Sequence, residues 1–431
     1  MWMMRLWAKL CVLWGMSMAP GLVIASPLGK EFATAFMQNG LQQTSQADFT
    51  LMVSGYAPNT SIIIYMKRPA LRAKATVNAG QTLSVKIPRE AEMVGTGLFD
   101  STVTVRADKD ISILSASHKT NSIDTTIVYP VTSLGTEYFV VTPTVGTERY
   151  REFAIIAWEE PTLVDVYLKG TVTFQGKKYS HGSKISITLS PYQAVQLQSG
   201  VDVSGTRIVS QKTVAVYSGH TCVSRQVHCD HVSEQLLPVS SWGTNFIVPS
   251  MPFDTGYDIV YVSSSQKTHV DSQTGGSKTS RVLAAARSTL YGIQGSTALF
   301  LSAASGIQVT FFCDGGTHNN FHYGPFFMAI PAVSSYCQAY NIYGHDQFEN
   351  YALIIAKSSE ASGITLDKRP LRNLQWNPVS GTEFSWAWHS LGRRAVVHVV
   401  EHPTAVFGLL SVGVGNEKAY GSPAVCAKGQ A

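Results

Sequence analysis

Pro130-Val131-Thr132-Ser133-Leu134-Gly135-Thr136-Glu137-Tyr138-Phe139-Val140-Val141 returns as Pro238-Val239-Ser240-Ser241-Trp242-Gly243-Thr244-Asn245-Phe246-Ile247-Val248. A weaker third copy reads Pro331-Ala332-Val333-Ser334-Ser335-Tyr336-Cys337-Gln338-Ala339-Tyr340. Leu28-Gly29-Lys30-Glu31-Phe32-Ala33-Thr34-Ala35-Phe36 matches the second half of the phrase. With Gly29, Gly135, Gly243 and Cys337 taken as equivalent, the spacings are 106, 108 and 94 residues. Self-similarity at a near-constant period marks one supersecondary unit used several times.

A second phrase keeps step with the first. Val103-Thr104-Val105-Arg106 alternates with period two, Ala107 to Asp110 reads as a turn, and Ile111-Ser112-Ile113-Leu114-Ser115 returns. The same pattern recurs as Ile208-Val209 with Val214 to Ser218, Leu299-Phe300-Leu301 with Ile307 to Phe311, and Val396 to Val400 with Ala405 to Leu409. Short strands joined by polar or glycine turns, in units of about 100 residues, are the signature of two packed antiparallel sheets. The expectation is an all-β fold of four tandem β-sandwich-like units, at residues 26–133, 134–241, 242–335 and 336–431. The Gly135 phrase serves equally as the last strand of one unit or the first of the next.

The N-terminus bears on compartment. Arg5 and Lys9 precede an apolar stretch from Leu10 to Ile24, and Val23-Ile24-Ala25 suits cleavage after Ala25. Residues 1–25 therefore read as a signal peptide. Pro20 and Gly21 break the run, which is too short for a membrane span of about 20 apolar residues, and no second long apolar run follows. The expected mature chain is soluble, secreted and extracellular, with no membrane insertion. Without Arg5 and Lys9 it carries 31 basic and 28 acidic residues. That balance offers no electrostatic footprint for nucleic acid. With 14% charged and 45% hydrophobic residues, disorder is excluded.

In an oxidising compartment disulfides are the default. Cys222 and Cys229 flank a short loop that a local bridge would close, and Cys337 and Cys426 open and end the fourth unit. Cys313 is left over, either free and buried or bonded to another chain. His220, His228 and His231 gather around Cys222 and Cys229 and raise the possibility of zinc, but export favours paired cysteines, so no metal or cofactor is expected. The sequence has no nucleophile elbow, His-Glu-x-x-His helix or phosphate-cradling loop, and no catalytic residue is assigned. Glu159 and Glu160 are adjacent, so on a strand they point to opposite faces. Trp386 and Trp388 share a strand face, where packing against a core or a partner sheet is the plainer role than stacking a sugar. Asn59-Thr60-Ser61 is an N-glycosylation acceptor in an exposed turn.

Several stretches carry a resemblance. They include Gly29-Lys30-Glu31-Phe32, Ala91-Glu92-Met93-Val94-Gly95, Leu134 to Val140, Leu168-Lys169-Gly170-Thr171-Val172-Thr173-Phe174, Val195 to Ser199, Ser218 to Cys222 and Cys229-Asp230-His231-Val232 with Glu234 to Pro238. These are collinear from about Ser26 to Cys426, and the chain resembles the IgGFc-binding protein N-terminal domain family. The resemblance implies a secreted mucosal protein. In larger members the domain precedes cysteine-rich von Willebrand D-type assemblies, and the namesake binds the Fc portion of immunoglobulin G. This chain stops after the N-terminal domain, so cysteine-built networks are not expected of it. The expected function is a non-enzymatic module that binds a glycoprotein, immunoglobulin Fc or a mucin partner. The alternative is a self-associating component of a mucus or matrix gel. No short motif assigns the binding residues.

Overall fold

Strand Thr60–Met66 shows how the chain builds its layers. Ile62, Ile64 and Met66 are buried while Ser61, Ile63 and Tyr65 face outward, because successive side chains of a strand leave on opposite faces. Each aliphatic side chain so buried stabilises the fold by about 1.5–3 kcal/mol. Lys184–Leu189 repeats the pattern with Ile185, Ile187 and Leu189 inside. The computed structural model describes residues 25–40, 47–119, 122–144, 149–223, 230–253 and 258–430, so the leader read at residues 1–25 lies almost wholly outside them. Among the described residues the structure is all strand, turn and short 3-10 segments.

In four stretches of the described chain a similar pattern of strand pairing recurs. Each begins with an opening strand: Gly29–Thr34, Gly135–Phe139, Asn245–Pro249 and Cys337–Tyr343. Each carries, towards its end, an axial strand: Ser122–Val128, Asp230–Gln235, Phe326–Ala329 and Lys418–Pro423, the last followed by Val425–Gln430, which pairs back on Cys337–Tyr343. Between them, a corner element joins both layers of the sandwich. In the first unit it is the 17-residue strand Val103–Lys119. Its first half pairs with Gly29–Thr34 and Thr60–Met66, its second half with Asp48–Gly55 and Ser122–Val128. Arg207–Val223 does the same in the second unit. In the third the element is split into Ala298–Ala303 and Ile307–Cys313, and in the fourth into Val397–Glu401 and Gly408–Gly415. Each pair of halves lies in separate sheets.

This corrects one reading of the sequence. Val103–Arg106 and Ile111–Ser115 do not fold back on each other as a hairpin. The polar stretch between them stays extended, because its side chains bind the neighbouring loop. Asp108 accepts from the Ser61 amide at 2.8 Å, and Lys109 donates to the Pro58 carbonyl at 2.6 Å. The unit boundary is also crossed: Gly97–Phe99 pairs with Ala194–Ser199 and so belongs to the sheet of the second unit.

The recurring Pro-Val phrase is the joint between units. Pro130, Pro238 and Ala332 each precede a 3-10 turn, Val131–Ser133, Val239–Ser241 and Val333–Ser335. Gly29 lies against Pro130, Gly135 against Pro238 and Gly243 against Ala332, so closely that a Cβ on any of these glycines would overlap the facing Cβ. The glycines are required by close approach. At the fourth position the residue is Cys337, bonded to Cys426. The Gly135 amide donates to the Tyr138 hydroxyl at 2.8 Å, which donates to the Val214 carbonyl at 2.7 Å. Cys337, Tyr340 and Phe407 repeat that relay at 2.7 and 2.5 Å.

The first unit has an apolar core around Phe49, Leu51 and Ile64 and the second around Phe153, Ile155 and Val216, while the core of the third, around Val260 and Phe311, runs on into Leu353, Leu410 and Val412 of the fourth. The axial strands then meet one another. Ser122–Val128 packs against Asp230–Gln235 on one side and Lys418–Pro423 on the other, and Phe326–Ala329 closes the circuit between those two. The tandem units thus form a ring about a centre lined by strands from all four.

Candidate functional site

The centre of the ring is polar although it is buried. Asp230–Gln235 pairs on one edge with Arg207–Val223, which leaves every second N–H pointing at the first unit. Those donors do not meet backbone. His231 N donates to Ser122 Oγ at 3.0 Å, Ser233 N to Asp124 Oδ2, and Gln235 N to Thr126 Oγ1 at 3.1 Å. A buried donor without an acceptor costs about 1–3 kcal/mol, so this side-chain ladder satisfies what would otherwise be an edge. Glu234 faces Thr126 of the first unit and the Ala329 backbone of the third, and burial pushes its carboxyl up to about 8. Asp230 faces Ser122 and the backbone of Ile123 and Ala419, and burial raises it well above the usual carboxylate range. Asp124 is raised likewise, with Glu234 beside it adding to the effect of burial.

The histidine- and cysteine-rich segment read from the sequence lies at the edge of this buried region. His220 and His231 are both buried, and burial lowers each to about 3, helped by Arg151 beside His220 and Lys119 beside His231. His220 Nδ1 accepts the Cys222 amide at 3.1 Å. His228 and Cys229 fall outside the described residues. Cys222 is disulfide-bonded, Cys337 is bonded to Cys426, and Cys313 is a free, buried thiol. Among the described residues no group of three His, Cys, Asp or Glu is placed to hold a metal ion.

The other singled-out residues separate. Glu159 meets Arg106 and Glu160 meets Lys212 at 2.8 Å, so the two carboxylates have different partners. Trp386 is buried beside Ile247 and Tyr336 at the junction of the third and fourth units. Trp388, on the same face, emerges to 42% exposure with its ring edge-on to Tyr351 at 5.6 Å. Asn59 is in an exposed turn in the left-handed region, φ 51°.

A different surface has the shape of a binding site. An open groove of about 790 Å³ runs between the first and second units. One wall is Gln38 with Val94-Gly95-Thr96 of the first unit. The other is Tyr150, Thr171, Thr173, Lys178 and Gln198 to Val201 of the second. Tyr150 is 45% exposed, and Val94 and Val201 are exposed beside it. The floor is tied across the two units by amides. Gln196 Nε2 donates to the Met93 and Gly95 carbonyls at 2.8 and 2.9 Å. Gln198 Nε2 donates to Gln38 Oε1 at 2.9 Å and to Glu152 Oε2 at 2.8 Å. Gln38 Oε1 also accepts the Gly95 amide at 2.9 Å, while its Nε2 donates to the Gly40 carbonyl at 3.0 Å. Among the described residues, Lys178 is the one charged residue in the lining. Sequence reading did not find this site, because its residues are uncharged for the most part and lie up to 163 positions apart, from Gln38 to Val201. The available signal was Thr171-Val172-Thr173, where Val172 goes inward and the threonines line the groove.

The sequence profile of the family described as IgGFc binding protein matches residues 124–413. The chain belongs to the IgGFc-binding protein family. A human relative, IgGFc-binding protein, is 37% identical over 426 residues. The match takes in 98% of this chain and 8% of the relative, so the chain spans under a tenth of that protein's length. In this IgGFc-binding family member the matched residues begin within the axial strand of the first unit and end before that of the fourth, so the profile covers the second and third axial strands whole. No helix among the described residues is long and apolar enough to cross a membrane.

Proposed function

We propose that this chain is an exported, non-enzymatic binding module whose partner is an extracellular glycoprotein, with immunoglobulin Fc the first to test. The observation that carries the reading is the open groove between the first two units, in a chain belonging to a family named for Fc binding. The groove is walled by exposed Tyr150, Val94 and Val201 over a hydrogen-bonded floor. A rigid wall loses little entropy when a partner docks, and Tyr offers both apolar area and a hydroxyl. The strongly perturbed carboxyls Asp124, Asp230 and Glu234 are sealed in the ring's centre, away from any substrate.

Export of the mature chain from Ser26, a local Cys222–Cys229 bridge and an occupied glycan at Asn59 belong to the same reading. Self-association through Cys313 is disfavoured, because the thiol is fully buried and burial raises its pKa. The test is surface plasmon resonance of the purified mature chain against Fc, mucins and serum glycoproteins. Saturable binding that survives a chelator is the expected result. Failure to bind any of them sinks the proposal.

A further inference from the structure

The groove's chemistry points beyond "a protein partner". We propose that it binds an anionic oligosaccharide, the acidic end of a glycan, with Tyr150 as its platform and Lys178 as its counter-charge. This deepens the reading of the chain as a glycoprotein-binding module and rests on it.

The argument is one of hydrogen-bond inventory. A sugar hydroxyl both donates and accepts, so a sugar site needs fixed groups of both kinds. Both Nε2 hydrogens of Gln198 are used, one on Gln38 and one on Glu152, which leaves its Oε1 as an acceptor. Gln38 uses one Nε2 hydrogen on Gly40, which leaves the second as a donor. The hydroxyls of Thr171 and Thr173 stand along the opposite wall. Ser199 Oγ already accepts the Val201 amide at 3.1 Å, which fixes the turn at the groove's end. An exposed aromatic ring beside such groups presents a face to the C–H side of a sugar ring, while flat apolar protein surfaces would leave the amides unpaired.

Charge selects the kind of sugar. Among the described residues no carboxylate lines the groove, and Lys178 stands exposed at its rim. Behind the wall, the Arg151 guanidinium donates to the Gly200 carbonyl at 3.3 Å and braces the groove's end. Glu152, which accepts from Gln198 behind the floor, is fully buried, and burial raises its pKa. Lys178 is the charge that the described lining offers, and it favours a sugar carboxylate or sulfate over a neutral saccharide.

The experiment uses the full mature chain with three probes: 3′-sialyllactose, a sulfated heparin disaccharide and neutral lactose, followed by isothermal titration and ligand-observed NMR. Binding of one or both acidic probes, at least tenfold tighter than lactose, is expected, and the carboxylated and sulfated probes distinguish the two sources of charge. Tyr150→Ala should weaken the acidic probe at least tenfold, and Lys178→Ala should remove the preference over lactose. Both residues are exposed, so the variants should keep the parent's circular dichroism and melting profile. Absence of binding by either acidic probe, equal binding of lactose, or indifference to both substitutions overturns the inference. Fc with its glycan enzymatically removed separates the two levels. If it binds as well as intact Fc, and the groove variants bind it equally, the glycan inference fails while protein binding stands.

Discussion

Cys426 stands to Cys337 as Pro238 stands to Gly135. In the first three units a glycine at the start of the opening strand lies against the residue that begins the next joint, Gly29 on Pro130, Gly135 on Pro238 and Gly243 on Ala332. Ala332 follows Gly243 by 89 residues, and Cys426 follows Cys337 by the same 89. Among the described residues no fifth joint faces Cys337, and a covalent bond takes over where the contact would have been.

That substitution sets the first prediction. Closing a loop of 89 residues removes freedom from the unfolded chain, worth about 4 kcal/mol in the chain-entropy picture. The double variant C337A/C426A should lose about that much in urea unfolding, with the fourth unit's amides the first to lose protection in hydrogen exchange. An unchanged urea midpoint would contradict it.

Gly219 sits in the second half of the corner strand, opposite Ser233. A Cβ there would run into the carbonyl of Val232 and the Cα of Ser233, both backbone and unable to yield. Gly219→Ala should therefore destabilise by about 3 kcal/mol, as overpacking at a rigid site does. Gly182→Ala is a contrasting control: its Cβ would meet open space, so any loss there reflects its positive φ of 84° alone. Thermal melts that rank the two variants in the reverse order would refute this account.

The side-chain ladder can be cut one rung at a time. Thr126→Val keeps the shape and removes the acceptor for the Gln235 amide. The expected cost is about 1–3 kcal/mol, the penalty of a buried unpaired donor, with faster exchange of that single amide. Exchange of Gln235 at the wild-type rate would show that the rung carries nothing.

The pH dependence has two opposing arms. Glu234 titrates near 8 when folded against 4.5 as an ordinary glutamate. Its raised value means the folded state holds the extra proton, so its stabilisation is complete below about 4.5 and is lost as pH rises through 8. The slope is about 1.4 kcal/mol per pH unit over that window. His220 and His231 work the other way: lowered to about 3 from 6.5, they cost stability as pH falls through that range. Stability should thus peak at mildly acidic pH, and Glu234→Gln should flatten the alkaline decline. A parent and variant with parallel pH profiles between 5 and 8 would rule out Glu234 as the source.

The joints were legible in the sequence because each needs the same three things: an extended Pro or Ala, a 3-10 turn and a residue small enough for close approach. The corner was misread because Ala107-Asp108-Lys109-Asp110 has turn chemistry, yet its side chains bind the loop at Pro58 and Ser61 and hold the backbone straight. The ring's centre was hidden by its own composition. Asp230-His231-Val232-Ser233-Glu234-Gln235 reads as surface and is buried throughout, because the apolar cover that such groups usually lack is supplied by three other units. One trace was present: Ser122, Asp124 and Thr126 each precede their partners at 231, 233 and 235 by 109 residues, close to the repeat length. The groove left only the alternation of Thr171-Val172-Thr173, since neutral amides and hydroxyls far apart in the chain carry no period.

Closure of the four axial strands on themselves has an evolutionary corollary. A linear stack of repeats tolerates duplication or loss of a member, for the neighbours simply find a new end. Here a missing quarter would strip cover from Asp230, which leans on the first and fourth units, or from Glu234, which leans on the first and third. Copy number is thereby locked: the lineage can vary loops and rims freely, but three or five members would have to invent a different middle.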